Sequence, residues 1–118
     1  MTNRHRRQEH SPRYGLTQQC RGHGLHTANG SRVEFRGVDV SHHGLGCVMV
    51  GNFQNRDTLI LDIGGSKIPF EVMWVESHLG IENTYRVGLQ CLDRMLDVRG
   101  RLSVLGLVTV PLDDEFAA

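Results

Sequence analysis

Apolar and polar residues alternate with a period of two along much of the chain. Val33 and Phe35 lie on one side of this pattern, and Glu34 and Arg36 lie on the other. In residues 68–74 the even positions form an apolar face, from Ile68 to Trp74, and in residues 85–91 the odd positions do so. Such alternation is typical of β-strands that place one face on a core. It also predicts that Trp74 belongs to the core rather than to a ligand surface.

Turn residues separate these runs at regular intervals. Residues 44–50 and 59–61 predict two further strands, and residues 62–67 predict a tight hairpin around Gly64-Gly65. About six short strands with turns between them favour an all-β fold, a closed or nearly closed antiparallel barrel.

The period changes after Leu92. Apolar residues now recur at three- and four-residue steps, at Met95, Val98, Leu102 and Leu105. This spacing predicts one C-terminal helix with its apolar stripe on the barrel and Asp93 as its N-cap.

The length of 118 residues suits a single domain. The pattern divides it into a basic arm at 1–14, a barrel with its helix at 15–110 and an acidic tail at 111–118. We expect the arm to be flexible, because it is polar and without periodicity. The formal net charge is zero, so composition gives no support for nucleic-acid binding.

Three cysteines at wide spacing argue against a disulfide framework and favour a reducing, cytoplasmic location. No apolar run approaches the roughly 18 residues of a membrane span, and no secretory signal is visible. The seven histidines show no zinc-site spacing, so we expect no metal site, no cofactor and no catalytic residues.

The most informative stretch is Asp39-Val40-Ser41-His42-His43-Gly44, an Asp-x-Ser-x-x-Gly sequence at the end of a strand. Asp39 can cap backbone N–H groups, Ser41 offers a donor and an acceptor, and Gly44 permits close backbone approach. These properties predict a polar turn that either closes two strands or binds a ligand.

In its context this turn resembles the PilZ family. That family has an Arg-x-x-x-Arg motif before the barrel, the Asp-x-Ser-x-x-Gly turn on it, and a Gly-Leu-x-aromatic ending on the last barrel strand. Arg13 takes the place of the second arginine, and Gly88-Leu89-Gln90-Cys91 takes the place of the strand ending.

The resemblance implies a six-stranded antiparallel barrel with a flanking helix and a ligand, cyclic di-GMP. The binding residues it implies are Arg6, Arg7, Arg13, Asp39, Ser41 and Gly44, with His42, His43 and Gly88 as accessory positions. Arginine reads phosphate or a guanine edge bidentately and stacks on purines. A carboxylate such as Asp39 suits the N1–H and N2–H₂ donors of guanine.

Two functions remain open. One is a second-messenger receptor that orders its arm on cyclic di-GMP and passes the signal to an unidentified protein effector. The alternative is a PilZ-like adaptor that binds no nucleotide and acts by protein contacts in motility or exopolysaccharide export. Glu9, within the arginine segment, favours the adaptor, and Arg13 with the complete turn motif favours the receptor.

Overall fold

The computed structural model describes residues 12–111. In this range the chain forms eight strands and one short helix, in the order β1 (Tyr14–Leu16), β2 (Arg21–His26), β3 (Arg32–Val40), β4 (Gly44–Val50), β5 (Thr58–Ile63), β6 (Ser66–Ser77), β7 (Thr84–Cys91), α1 (Val98–Val104) and β8 (Val108–Pro111). The predicted arm up to residue 11 and the tail from residue 112 lie outside the described residues. The helix has seven residues, and nothing helical within 12–111 is long and apolar enough to cross a membrane.

Six of the strands close into a barrel. Their order is β2-β5-β6-β7-β4-β3, and β3 pairs back with β2. Every neighbouring pair is antiparallel. The predicted six-stranded antiparallel barrel with a C-terminal helix is therefore confirmed.

The barrel interior is filled by the apolar side of the alternating pattern. Five of the six barrel strands contribute buried aliphatic, aromatic or sulfur-containing residues, among them Val33, Phe35, Met49, Leu59, Leu61, Phe70, Val72, Val87 and Leu89. The buried positions of β2 are Gly24 and His26. Val98 and Leu102 of α1 are also fully buried, so the helix packs one face on the same core. Removal of this apolar surface from water is the main force that stabilises the fold.

The hairpin between β5 and β6 forms as predicted. Asp62 pairs with Lys67 and Ile63 with Ser66, and the two residues between them, Gly64 and Gly65, have φ of 61° and 89°. Two successive positive φ values are those of the type I′ turn, whose twist matches that of paired strands.

Two strands outside the barrel, β1 and β8, were not predicted. β1 pairs with the end of β3, at Val40 and Asp39, and β8 pairs with β1. β1 is only three residues long, too short to show a period. The apolar residues of β8 extend the apolar run of the helix, and only Gly106, with φ of 76°, marks the break between them.

The predicted N-cap of the helix was wrong. The helix begins at Val98, and its N-cap is Asp97, whose Oδ1 accepts from the backbone N–H of Gly100 at 3.0 Å. Asp93 instead accepts from the backbone N–H of Met95 in a separate turn. Met95 lies before the helix with its side chain 93% exposed. Two Asp-led turns four residues apart carry the same capping chemistry, and the pattern alone did not distinguish them.

The predicted core position of Trp74 was also wrong. On β6 the register advances from Val72, opposite Leu89, to Trp74, opposite Gly88, so two residues of β6 match one of β7. This β-bulge turns Trp74 to the outer face, where it is half-buried. A strict period of two cannot show such a reversal, because it assumes an uninterrupted strand.

Candidate ligand-binding site

A second β-bulge places Asp39 on the barrel surface. On β3, Gly37 pairs with Cys47 and Asp39 pairs with Gly46, so Val38 is the extra residue. Cys47 is fully buried, and adjacent positions of β4 face opposite sides of the sheet. Asp39 therefore lies on the outer face, where β3 approaches the turn into β4.

Arg13 lies beside Asp39 and forms an ion pair with it. Its Nε and Nη2 donate to Asp39 Oδ1 at 3.2 and 2.5 Å. The two side chains are 25% and 19% exposed. Both donors converge on Oδ1, so Oδ2 takes part in neither bond. Pairing of Gly15 with Asp39 aligns β1 with β3, and this alignment brings Arg13, the residue immediately before β1, to this position.

The turn 41–44 is closed by its own polar groups. The backbone N–H of Ser41 donates to the carbonyl oxygen of Gly44 at 2.9 Å, and the N–H of Gly44 donates to Ser41 Oγ at 3.1 Å. Ser41 is only 8% exposed. Its hydroxyl still has a proton to donate, because it acts here as an acceptor.

Gly44 and Gly46 are needed for close approach rather than for a left-handed backbone. A Cβ on Gly44 would lie 3.0 Å from Ser41 Oγ and 3.7 Å from Arg13 Nη1. A Cβ on Gly46 would lie 2.5 Å from Asp39 Oδ1. The carboxylate thus lies over the backbone of β4, in space that any other residue would fill.

The histidines of the turn join it to the helix. His42 Nδ1 lies 3.2 Å from Asp97 Oδ1, and the His42 carbonyl accepts from the backbone N–H of Val98 at 2.9 Å. The His43 carbonyl accepts from Cys91 N–H at 2.8 Å, while its side chain is exposed. The turn is therefore hydrogen-bonded to both the end of β7 and the start of α1.

Gly88, the remaining accessory position, lies on β7 directly beside Gly46. A Cβ on Gly88 would overlap Nε1 and Cε2 of Trp74. The indole therefore covers Gly88 much as the Asp39 carboxylate covers Gly46.

The structure brings Arg13, Asp39, Ser41 and Gly44 together on one surface. Arg6 and Arg7 lie outside the described residues. The Arg32-x-x-x-Arg36 sequence spells the same arginine motif, but it lies along β3 and Arg32 is at the opposite end of that strand from Asp39.

Sequence reasoning missed three contributors to this surface: Gly46, Trp74 and Arg99. The guanidinium of Arg99, on α1, lies 5.2 Å from the ring centre of Tyr14, next to Arg13 in the chain. A glycine inside a strand pattern is a signal of close backbone approach, and this signal could have identified Gly46. No comparable signal marked Arg99, because the Tyr14 contact depends on β1.

The arrangement offers a partly exposed cation and carboxylate beside a nearly buried hydroxyl, which suits recognition of a polar anionic ligand. Within residues 12–111 no three His, Cys, Asp or Glu side chains converge as metal ligands would. The three cysteines are free and buried, and burial raises the pKa of the Cys20 thiol to about 11. Burial also raises the pKa of Cys47 and of Cys91. All three are therefore protonated at neutral pH and poor nucleophiles.

No protein-family model and no curated protein matches the sequence. Among solved structures, the chain is similar to the PilZ domain with c-di-GMP of YcgR from Escherichia coli. The TM-score is 0.61 at 14% sequence identity, over 84% of this chain and 90% of that chain. At this identity the likeness concerns the fold. The six-stranded barrel, its short C-terminal helix and this structural match together show that the chain has a PilZ-like fold.

Proposed function

We propose that this chain is a receptor module that binds cyclic di-GMP on the surface formed by Arg13, Asp39, Ser41 and Gly44. The observation that carries the proposal is the position of the Arg13–Asp39 pair beside the turn 41–44. These residues come from two separate stretches of the chain, Arg13 before β1 and residues 39–44 at the end of β3 and in the turn that follows, and the fold brings them together. The PilZ-like fold supports the same ligand.

The chemistry of the surface matches the two kinds of group in cyclic di-GMP. The guanidinium of Arg13 can donate to phosphate or to the O6/N7 edge of guanine. Asp39 Oδ2 is an acceptor suited to the N1–H and N2–H₂ donors of guanine. A carboxylate repels phosphate, so Asp39 favours a nucleotide with a guanine edge over a simple inorganic anion.

Arg6 and Arg7 supply further positive charge in this proposal. They precede Arg13 in the chain, and cyclic di-GMP carries two phosphates that need cations. Binding draws the arm onto the barrel surface, and the ordered arm is the output that a protein effector recognises.

The hydrogen bonds between the turn and α1 offer a second output. His42 is bonded to the helix start through its carbonyl and through Asp97. A ligand that shifts the turn therefore acts on the N-cap of α1. In this proposal the module is not an enzyme: it works in the cytoplasm, with its thiols reduced, and passes the signal to another protein.

Isothermal titration calorimetry with cyclic di-GMP tests the proposal, with GTP as the control ligand. Arg13→Ala removes the central cation, and Arg32→Ala is a matched control because Arg32 is exposed on the same strand as Asp39 but at its far end. We expect low-micromolar or tighter binding that Arg13→Ala weakens by roughly tenfold to a hundredfold, since a charge-assisted hydrogen bond contributes about 1.5–3 kcal/mol. Arg32→Ala should bind as the wild type does.

An absence of binding heat in a folded wild-type protein would contradict the receptor proposal. The adaptor function would then be the better account, and the search would turn to protein partners. Equal binding by Arg13→Ala and the wild type would contradict the assigned site instead.

A further inference from the structure

Three arginines lie in one row across the outer face of the barrel, beside the candidate ligand site. Arg21 on β2 is the Cα partner of Arg36 on β3. Arg36 is in turn the partner of Val48 on β4, and Val48 is the partner of Arg86 on β7. Arg21 and Arg36 are exposed, and Arg86 is half-buried. These four residues, called the arginine row below, carry three positive charges over four neighbouring strands.

The fold does not balance the charges of the arginine row. Arg13, Arg56 and Arg99 each form an ion pair with a carboxylate. The arginines of the row form no ion pair and no side-chain hydrogen bond within residues 12–111. Arg21 and Arg36 stand directly opposite each other, and like charges in that position destabilise a pair of strands. The row is therefore a surface on which the free protein carries unfavourable charge.

Arg86 provides a second, independent sign that the row lacks a partner. Its Nε is buried and has no hydrogen-bond acceptor in the described part of the chain. A buried polar group without a partner costs stability, and in a native protein it commonly has a functional or ligand-related reason. A guanidinium that is already partly removed from water also attracts a negative charge more strongly than one in open solvent. The row therefore suits negative groups that another molecule supplies.

The charges around the row favour a protein partner over a nucleic acid or a membrane. Glu34 lies on the same face of β3 as Arg36, and Glu76 on β6 is the Cα partner of Arg86. Both carboxylates repel a surface of uniform negative charge. Val48 places an apolar side chain between two arginines, and arginine together with apolar residues is typical of protein interfaces. A partner of mixed character, acidic and apolar, therefore fits best.

The shape of the surface agrees with this choice. A hollow of about 350 Å³ lies at the β2 end of the row and is lined by Arg21, Gly22, His23, Glu34 and Phe35. Side chains that project from a protein can enter such a hollow, whereas a flat membrane surface cannot.

The spacing of the row matches one face of an α-helix. Neighbouring strands are about 4.8 Å apart, so the four residues of the row follow one another at roughly 0, 5, 10 and 14 Å. A helix rises about 1.5 Å per residue, which places positions i, i+3, i+7 and i+10 of one face at roughly 0, 5, 11 and 15 Å. Alternate residues of an extended segment are about 6.7 Å apart and lose this match after one step.

We propose that the arginine row is the docking surface for a negatively charged amphipathic helix of the protein effector. The proposal rests on the proposed function, in which an effector receives the signal. The helix presents acidic residues to the three arginines and an apolar residue to Val48. Val48 is two residues from Gly46 on β4, so a helix seated on the row lies next to the candidate ligand site.

A designed peptide tests the proposal before the effector is identified. The peptide has about 18 residues, enough to form a helix, and surrounds the stripe Glu-x-x-Leu-x-x-x-Glu-x-x-Glu with Ala and Gln. Two-dimensional NMR of the full chain measures its binding and locates it. We expect a Kd of about 0.1–1 mM at low salt, because the contacts are a few partly exposed ion pairs and one apolar side chain. The largest amide shifts should fall on and beside the arginine row.

Reversal of one charge shows whether the peptide occupies the row. Arg36→Glu should weaken binding by at least about tenfold, since it places like charges against each other. Arg94→Glu makes the same change at an exposed position between β7 and α1 and should bind the peptide as the wild type does. A second peptide, with Lys in place of the middle Glu, should bind Arg36→Glu more tightly than the wild type. A general loss of folding would not produce that preference.

Stability in urea gives a readout that needs no partner. Arg21→Gln removes one of the two opposed charges and should leave the urea midpoint unchanged or raise it. A clear fall in the midpoint would show that Arg21 stabilises the fold and would contradict a row kept for docking.

The outcomes separate this proposal from the proposed function. An absence of shifts at the row in a millimolar excess of peptide would overturn the docking surface, and so would equal affinity of Arg36→Glu and the wild type. Tighter binding of heparin or of phosphatidylglycerol vesicles at the row would assign it to a polyanion and would also overturn the proposal. Calorimetry with cyclic di-GMP is independent of these results. Peptide binding by a chain that gives no heat with the nucleotide would remove the receptor function and leave the docking surface to the adaptor.

Discussion

Arg13 and Asp39 lie 26 positions apart in the sequence, yet both Nε and Nη2 of Arg13 donate to the same oxygen of Asp39. The contact depends on two structural features that arise independently. One is the pairing of β1 with the end of β3, and the other is the bulge that turns Asp39 outward. The pair is thus a product of tertiary structure, held at the surface rather than in the core.

Partial burial predicts a moderate contribution of this pair to stability, because the two side chains are only 25% and 19% exposed. Fully exposed ion pairs contribute about 0–1 kcal/mol, and removal of one partner from a buried pair costs about 3–5 kcal/mol. We expect a double-mutant cycle of Arg13→Ala and Asp39→Ala, measured by urea unfolding, to give a coupling free energy of about 1–2 kcal/mol. A coupling of about 3 kcal/mol or more would instead be that of a buried pair and would assign the residues a structural role.

Gly46→Ala should impair ligand binding without unfolding the barrel. The new Cβ would lie 2.5 Å from Asp39 Oδ1 and 3.6 Å from Arg13 Nη2, so the carboxylate must move away from β4. We expect at least about a tenfold loss of cyclic di-GMP affinity, equal to about 1.4 kcal/mol.

The control for Gly46→Ala is Gly80→Asn. Gly80 has φ of 71° and open space around its Cβ position, and asparagine tolerates that backbone conformation. Calorimetry and thermal unfolding on both variants separate a loss of binding from a loss of folding. Wild-type affinity in Gly46→Ala would show that the position of Asp39 does not matter for binding.

Ser41→Ala should loosen the turn between β3 and β4. The variant removes the acceptor for the Gly44 N–H, and the unsatisfied donor costs about 1–3 kcal/mol where it is buried. Urea unfolding should show this loss. His43→Ala, an exposed residue in the same turn, should change the unfolding free energy by less than about 0.5 kcal/mol. Equal stability of the two variants would contradict the role given to the serine hydroxyl.

Gly100→Ala should destabilise the protein, although the same change usually stabilises a helix by about 1 kcal/mol. The added Cβ would lie 2.7 Å from Asp97 Oδ2 and would push the N-cap carboxylate off the helix start. Ser103→Ala, an exposed position of the same helix, should be neutral or slightly stabilising. Unfolding by urea measures both, and a more stable Gly100→Ala would show that the Asp97 cap contributes little.

The three cysteines should resist thiol reagents while the protein is folded. Burial raises the pKa of Cys20 to about 11 from the ordinary 9.0, so almost no thiolate forms at pH 8. We expect a disulfide reagent such as 5,5′-dithiobis(2-nitrobenzoic acid) to react slowly with native protein at this pH and to titrate all three thiols in urea. A native thiol that reacts as fast as in urea would contradict this burial.

The same shift predicts a pH dependence of stability. The raised pKa of Cys20 means that the folded state keeps a proton that the unfolded state loses above pH 9. Stability from this group is complete below pH 9 and is lost as the pH rises towards about 11. Cys20→Ala should flatten the fall in unfolding free energy across that range.

The barrel could be predicted from the sequence because alternation, turn residues and core composition agree with one another. The hairpin at Gly64-Gly65 shows this agreement most clearly, since the residues that the turn requires stand between two runs of alternating residues. The ends of the strands and the first residue of the helix were harder to predict from the sequence. Asp93 and Asp97 carry the same side chain, and only the fold decides which of them caps α1.

The sequence predicted the polar turn of the candidate site but not the residues that other strands contribute to it. Asp39, Ser41 and Gly44 are neighbours in sequence, so their spacing alone predicts a shared turn. Gly46 and Trp74 lie near these residues only because of how the strands are paired in register. A single extra residue in β6 also reverses the face of the sheet on which the tryptophan lies. A bulge of this kind cannot be detected from the alternation of apolar and polar residues within a single strand, because it depends on the pairing with the neighbouring strand.

Tyr14 is the first strand residue along the described chain and Pro111 is the last. The two are Cα partners in the pairing of β1 with β8. Paired Cα atoms are about 5 Å apart, so the described chain enters and leaves the fold at nearly the same place, next to Arg13. A module with this geometry can be spliced into a loop of a host protein without forcing the ends of that loop apart. Flanked by two fluorescent proteins, the same module would hold them close together, and energy transfer between them would report whether cyclic di-GMP moves the segment next to Arg13.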